Sequence, residues 1–338
     1  MGIKKANNSG TIKMGRVLPA VILPVVFLLS FFIGRFEIDW SKAFDASTVH
    51  YRVFVHLRMG RTLMVLFAGL GLGMAGNTFQ SVFRNPLASP DVAGVASGAS
   101  VGAATAIVFG NSLAAVLPGF AKSAMIPVFA MAGGILALVM VMLLTKASGR
   151  TTTVSLLLSG IIINAVFQAL LMFIKLSADT ENTLQAVEFW IMGSFSDVTL
   201  DGFLKVIAWI AVGVVGMLMM SRQIRLLNLP DDEAQMLGIS VKRCRMLALG
   251  FSTLTTAAVI STTGIIAFIG LLAPHIARKL DIRGGQLLSG IVGAVLLLVA
   301  DILVRLISKA ELPISVVTSL VGAPILFLLV CRRNEVNH

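Results

Sequence analysis

Few of the 338 residues could carry bond chemistry, and their spacing argues against it. His275 follows Pro274 but has no second His, Cys or acid at ligand spacing, so no metal site is expected there. Cys244 and Cys331 are the only cysteines, and both fall in segments read as near the cytoplasmic face, where plain thiols are expected. Gly71–Gly76 spells G-x-G-x-x-G, but a dinucleotide fold needs a strand before it and a helix after it. Here the pattern lies inside one apolar run. No G-x-x-x-x-G-K-[ST] occurs, so no cofactor is expected on this chain, and any ATP that drives it is hydrolysed by another. The remaining candidates concern charge and amide placement. Arg58 and Arg61 stand three apart at one end of an apolar segment, and Arg305 closes another. They suit snorkelling at helix ends, capture of carboxylates on an external partner, or an ion pair with Asp301, one turn before Arg305. Asn164 and Gln168, also one turn apart, suit bonds across helices before a pathway role.

The stretch Phe79–Asp91 is a polar break between two apolar segments, with Pro86 and Pro90. Each proline pushes the residue before it out of helical geometry. Ser89 is expected to cap a new helix, with Pro90 in its first turn and Asp91 near its positive end. Irregular chain at membrane depth must face water or line a cavity, so this turn belongs at one mouth of a bundle. A second informative stretch is 228–239. Asp231, Asp232 and Glu233 open a short helix that Gly238 closes. It reads equally as a surface connector or as a docking helix for a cytoplasmic partner, with Ala234, Met236 and Leu237 as candidate anchors.

The elements that position these residues must be lipid-embedded helices. The chain is 57% hydrophobic and 13% charged, with a mean hydropathy of +0.93. A crossing helix needs about 20 apolar residues, and such runs recur. The reading is all-α, one polytopic domain of about ten transmembrane helices over 17–331. The tails are 1–16 and 332–338, and 221–245 is an inner loop. Spans are expected near 17–36, 60–82, 91–109, 123–145, 152–175, 200–220, 245–268, 271–280, 285–304 and 314–331, with an amphipathic piece near 186–194. The eighth is too short to cross alone and continues from a broken helix. Gly69, Gly71, Gly73 and Gly76, then Gly94, Gly98 and Gly102, stripe two helices with small residues that let backbones approach. The net charge of +11 comes from basic residues scattered between spans, without aromatic interleaving, so nucleic acid is not an expected partner. Seventeen of the 27 basic residues fall inside when both termini are cytoplasmic.

Several stretches together resemble the FecCD-type permease subunits of type II ABC importers, which carry ferric siderophores, haem and cobalamin. They are Arg58-Met59-Gly60-Arg61, Gln80, Arg84–Asp91 running on to Gly94 and Gly98, Phe189–Ser194, Gly264–Arg278, Asp301, Arg305, Glu311–Pro313 and Gly322–Pro324. The sequence departs from the family at Met59-Gly60, where Leu-Pro is common, and at Pro230, where Gly is common before the acid. The resemblance implies the type II importer permease fold in a bacterial cytoplasmic membrane. It also implies a second permease copy, cytoplasmic ABC ATPase subunits and an extracytoplasmic substrate-binding protein. Asn85, Leu87, Thr151 and Thr152 would form the cytoplasmic gate. Arg58, Arg61 and Arg305 would dock the binding protein, and Asp231, Asp232, Glu233, Ala234, Met236, Leu237 and Gly238 would contact the ATPase. The cargo implied is an iron chelate, a ferric siderophore first, with haem or cobalamin as alternatives. The rivals of other classes are a secondary transporter driven by an ion gradient and a membrane-embedded enzyme. The few buried acids weigh against the former, and the lack of a nucleophile–base set against the latter.

Overall fold

The computed structural model describes the backbone of residues 8–34, 36–116, 122–149, 152–178, 180–281, 285–307 and 312–334. Among them the chain forms fourteen helices and no strand. They are α1 (Asn8–Phe32), α2 (Val49–Val82), α3 (Val95–Val108), α4 (Gly110–Val116), α5 (Lys122–Ala147), α6 (Thr153–Leu176) and α7 (Glu181–Met192). Then come α8 (Leu200–Met219), α9 (Ser221–Leu226), α10 (Asp231–Met236), α11 (Val241–Thr263), α12 (Ile269–Leu280), α13 (Gln286–Ile307) and α14 (Ile314–Asn334). By length and apolar composition six helices can each cross a membrane: α2, α5, α6, α8, α11 and α13. The pair α3–α4, bent by 79°, makes a seventh. With the terminal helices α1 and α14 and the short α12, these are the ten apolar elements set out from the sequence, in the same order.

Several boundaries moved, and three of the shifts have a local reason. α2 begins at Val49, about three turns before the expected start, because Arg52–Met59 is wound as π-helix and continues the helix backwards along the chain. The third span does not start at Asp91. Pro90–Ala93 forms a single 3₁₀ turn, and Gly94, at φ 73°, swings the chain before α3 begins. Gly94 is therefore a junction residue and not part of the packing stripe. α11 stops at Thr263, since Gly264 takes φ 68°, and irregular chain runs to Phe268 before α12. The amphipathic piece expected near 186–194 is α7, which starts a turn and a half earlier, capped by Thr180.

α2 is the central column, packed against α13, α12, α11 and α8. Its glycines permit this. A Cβ on Gly76 would lie 1.7 Å from the Gly270 carbonyl oxygen, and one on Gly73 2.2 Å from that of Ser289. Gly98 and Gly102 of α3 meet α5 in the same way. Lipid tails give helices no hydrophobic reason to associate, so close backbone approach and its dispersion energy must supply it. Two apolar clusters fill the bundle. One surrounds Phe79, Phe83, Leu156 and Leu227 at the Pro86 end, and the other surrounds Met64, Phe195, Phe203 and Leu297 at the opposite end.

Candidate functional site

At the Pro86 end α2 stops at Val82, and Arg84 takes φ 45°, the left-handed region, at about 1–2 kcal/mol for a residue with a Cβ. The amide of Asn85 then donates to the Gln80 carbonyl (3.1 Å) and that of Ala88 to the Asn85 carbonyl (3.0 Å). The Asn85 side-chain oxygen accepts from the Leu87 amide at 2.9 Å, which closes an Asx turn and leaves Leu87 53% exposed at its tip. Ser89 is extended, as Pro90 requires, but makes no capping bond; its hydroxyl faces the Asp91 carboxylate at 3.5 Å. The expected Ser89 cap is thus absent, because a 3₁₀ turn of four residues replaces the helix it would have started.

Thr151 lies outside the described residues. Its neighbour Thr152 caps α6, accepting from the Ser155 amide at 3.2 Å. Asn164 is half-buried and Gln168 exposed on α6. Neither makes a hydrogen bond among the described residues, so the cross-helix bond expected of them is not seen there.

The inner loop folds as α9 and α10, and Gly238, at φ 82°, closes the second as expected. Of the candidate anchors, Ala234 is fully buried in the cluster around Phe79, so it turns inward and cannot present a docking surface. Met236 (87% exposed) and Leu237 are left on the outside, with Asp232 and Glu233 beside them. Asp231 also turns inward. Its carboxylate receives Arg245 through two bonds, 2.7 and 3.0 Å, and is paired with Arg84. Partial burial pushes the Asp231 carboxyl upward, but the hydrogen bond and charge of Arg245, then those of Arg84, outweigh it and hold the group below its usual range. A carboxyl so lowered contributes stability that is present above its unfolded pKa of about 3.9. That contribution fades only as pH falls through the lower folded value. Sequence reasoning missed Arg84 and Arg245 as its partners, because nothing in spacing ties residue 84 to residue 231.

The opposite end carries the three singled-out arginines together. α1 ends at Phe32, and its last carbonyls lack helical partners. Arg58 donates to the carbonyls of Phe31 and Phe36, both at 2.8 Å, and Arg305 to those of Ser30 (2.9 Å) and Ile33 (2.8 Å). Cations suit the negative end of a helix dipole. Asp301, wholly buried, accepts from Arg61 Nε (2.9 Å) and Nη2 (2.7 Å) on one oxygen and pairs with Arg305 through the other. The internal use weighed for Asp301 and Arg305 is therefore present, and Arg61 joins it.

Between the ends, the broken chain at 264–268 is held by Ser315. Its hydroxyl donates to the Ile265 carbonyl at 2.6 Å and accepts the Ala267 amide at 3.3 Å. Gly193 and Gly264 meet there without side chains. A Cβ on Gly264 would lie 2.0 Å from the Trp190 carbonyl oxygen. Replacing Ser315 by Ala leaves a part-buried carbonyl and amide unpaired and is expected to cost about 1 kcal/mol. Thermal unfolding of the purified chain in detergent checks it. Elsewhere, His275 Nδ1 lies 2.8 Å from the Leu271 carbonyl oxygen. Among the described residues no group of three or more His, Cys, Asp or Glu side chains is placed to hold a metal ion.

A bundle of membrane-length helices, with an Asx turn at one end and a short acidic helix beside it, has the architecture of a multi-pass membrane permease. The comparisons with known proteins narrow that class. The FecCD transport family matches residues 22–332, and the chain belongs to that family. The chain is 36% identical to the ferric enterobactin transport system permease of Escherichia coli, covering 89% of this chain and 91% of that one. It is 32% identical to the molybdate import system permease of Haemophilus influenzae, over 92% and 94%. Identity to the iron(3+)-hydroxamate import system permease of Bacillus subtilis is also 32%, over 93% and 95%. A solved metal-chelate type ABC transporter in an inward-facing conformation superposes with a TM-score of 0.83 at 30% identity, covering 94% of this chain and 98% of that one. The chain is a permease of the type II ABC importer class.

Proposed function

We propose that this chain, paired with a second permease copy, carries an iron chelate inward by alternating access. Cytoplasmic ABC ATPase subunits drive it and an extracytoplasmic binding protein delivers the cargo. The observation that carries this is the gate-end geometry. The Leu87 turn, the Thr152 cap and the exposed Met236–Leu237 pair stand on one end of a fold shared with a metal-chelate transporter. ATP is used by the partner, and this chain binds no cofactor of its own. A ligand moves such an equilibrium only by its differential affinity for the two states. Asn85 and Leu87, with Thr151 and Thr152, close the pathway on the cytoplasmic side, where both termini also lie.

α6 supports the pairing and the cargo class. It is the least buried of the six long apolar helices. Its exposed surface carries Leu158, Ile161, Ile162 and Leu170, with Asn164 and Gln168 as the amides on its middle turns. A second copy laid against that surface encloses a weakly adhesive, uncharged passage suited to a bulky chelate. A ferric siderophore is the first choice because relatives in E. coli and B. subtilis are permeases for ferric enterobactin, iron(3+) dicitrate and iron(3+) hydroxamate. Relatives named for hemin and cobalamin keep those cargoes as the second reading. At the outer end, Arg61 is the docking group among the three arginines. Its side chain is 18% exposed and its Nη1 has no hydrogen bond among the described residues, whereas Arg58 and Arg305 hold α1 in place.

Uptake of ⁵⁵Fe-labelled ferric hydroxamate, haem and cyanocobalamin by proteoliposomes containing the whole complex tests the reading. Import of the ferric hydroxamate only with ATPase subunits and ATP supports it; import by this chain alone on an ion gradient overturns it. Met236→Asp with Leu237→Asp is expected to lower ATPase co-purification about tenfold or more, since desolvated apolar anchors carry most of an interface's energy. Pull-down from detergent measures it.

A further inference from the structure

Asp231 is the first residue of α10, yet its carboxylate faces the permease and not the outside. Two segments meet on it directly, and two more join through the same arginines. Arg84 comes from the residue directly before the Asn85 turn, and Arg245 from the first turns of α11. Arg245 Nη2 also donates to the Thr153 hydroxyl at 3.2 Å, directly after the Thr152 cap of α6. Arg84 Nε donates to the Leu227 carbonyl at 3.0 Å, in the link from α9 to α10. The Asn228 amide reaches the Ser81 hydroxyl at 3.3 Å, a second tie between that link and the end of α2. Beneath these bonds Ile224, Leu227 and Ala234 are fully buried in one cluster with Phe79, Phe83 and Leu156. The loop of α9 and α10, the Asn85 turn and the start of α6 are thus packed and bonded as one piece.

We propose that Asp231 is a positioning residue, the clasp that ties both gate turns to α10 so that a displacement of α10 moves them together. This rests on the importer reading above. One carboxylate serving two guanidiniums is a sensitive link. Arg84 and Arg245 share its Oδ1, so removing the negative charge leaves two adjacent cations to push apart. Arg245 is almost fully buried and stays with α11, which leaves Arg84 and its left-handed backbone as the part that gives way. The arrangement transmits motion through discrete ion pairs and packed side chains, and both sites bias the same element.

The test uses spin labels on Leu87→Cys and Val212→Cys in a chain with Cys244→Ser and Cys331→Ser. Labelled chains are diluted with unlabelled ones and assembled with the ATPase subunits in nanodiscs. The reference complex is expected to show two Leu87–Val212 distances whose ratio changes with ATP, Mg²⁺ and vanadate. Asp231→Asn is expected to bind the ATPase and hydrolyse ATP as the reference does, while the ATP-dependent change in that ratio falls about tenfold. Asp231→Glu is expected to restore most of the change, and Arg84→Gln to reproduce the loss and add little to it in the double variant. Should Asp231→Asn fail to assemble, Arg84→Gln reads the same quantity. A full ATP-dependent change in either charge-removing variant overturns the clasp. So does loss of ATPase binding in Asp231→Asn with no effect of Arg84→Gln, which would make Asp231 a docking contact. A reference complex that neither binds the ATPase nor responds to ATP overturns the importer reading itself, and the clasp with it.

Discussion

Replacing Asp301 by alanine is expected to destabilise the permease by about 3–5 kcal/mol, the range for removing one partner of a buried ion pair. Asp301 is wholly buried and its two oxygens are divided between Arg61 and Arg305, whose side chains are 18% and 6% exposed. Without the carboxylate, both guanidiniums stay in a region of low dielectric, with the carbonyls of Ser30 and Ile33 and the Ser30 hydroxyl to compensate Arg305 and no other bond among the described residues for Arg61. The end of α1 should loosen first, since Arg305 fastens it at Ser30 and Ile33. Denaturant unfolding in mixed micelles measures the loss, and hydrogen exchange over residues 28–34 locates it. Asp301→Asn, which keeps the shape and one acceptor, should cost less than alanine. Equal stability of the alanine variant and the unsubstituted chain would mean that the cluster is solvated in the bilayer and holds nothing together.

Gly76→Val should be the other large effect, at about 3 kcal/mol or more from overpacking. A Cβ at this position would stand 1.7 Å from the Gly270 carbonyl oxygen, and Gly270 Cα is only 2.8 Å away, so backbone and not a flexible side chain must yield. Parting α2 from α12 also stretches the bond from the Gln80 amide to the Leu271 carbonyl, 3.3 Å, and the contact of Arg278 with Gln80 one turn beyond. That is why the effect should reach the Asn85–Leu87 turn, whose Asn85 backbone amide hangs on the Gln80 carbonyl. Gly110→Ala is the matched control, since a Cβ there meets nothing within 4 Å. Thermal unfolding of the three proteins side by side checks the ranking, and a Gly76→Val variant as stable as the Gly110→Ala control would contradict the packing described.

Element order, the existence of a broken helix before the eighth span, the turn at Pro86 and the closure by Gly238 are legible from residues, because each depends on local backbone chemistry; the break itself falls at Gly264 and not after residue 268. Proline removes a donor and fixes φ, glycine admits φ above zero, and membrane-length apolar runs have one stable backbone solution in lipid. Where that reading failed, it failed on competition between neighbours. Ser89 had the right type for a cap, but a left-handed Gly94 five residues on cut the helix to a 3₁₀ turn. Gly94 had the right spacing for the stripe, and its φ shows that it serves the corner.

What the amino-acid order determined alone is therefore the class of molecule: a helical membrane permease with a polar turn at one mouth and an acidic helix beside it. Only the tertiary structure decided which way each charged side chain turns. Arg58, Asp231 and Ala234 all point into the fold, while Met236 and Leu237 point out. The physical reason is that a buried charge must find its counter-charge or an orphan carbonyl, and those partners sit up to 275 residues away in sequence. Helical spacing can place a residue on a face, but it cannot show which distant oxygen waits there.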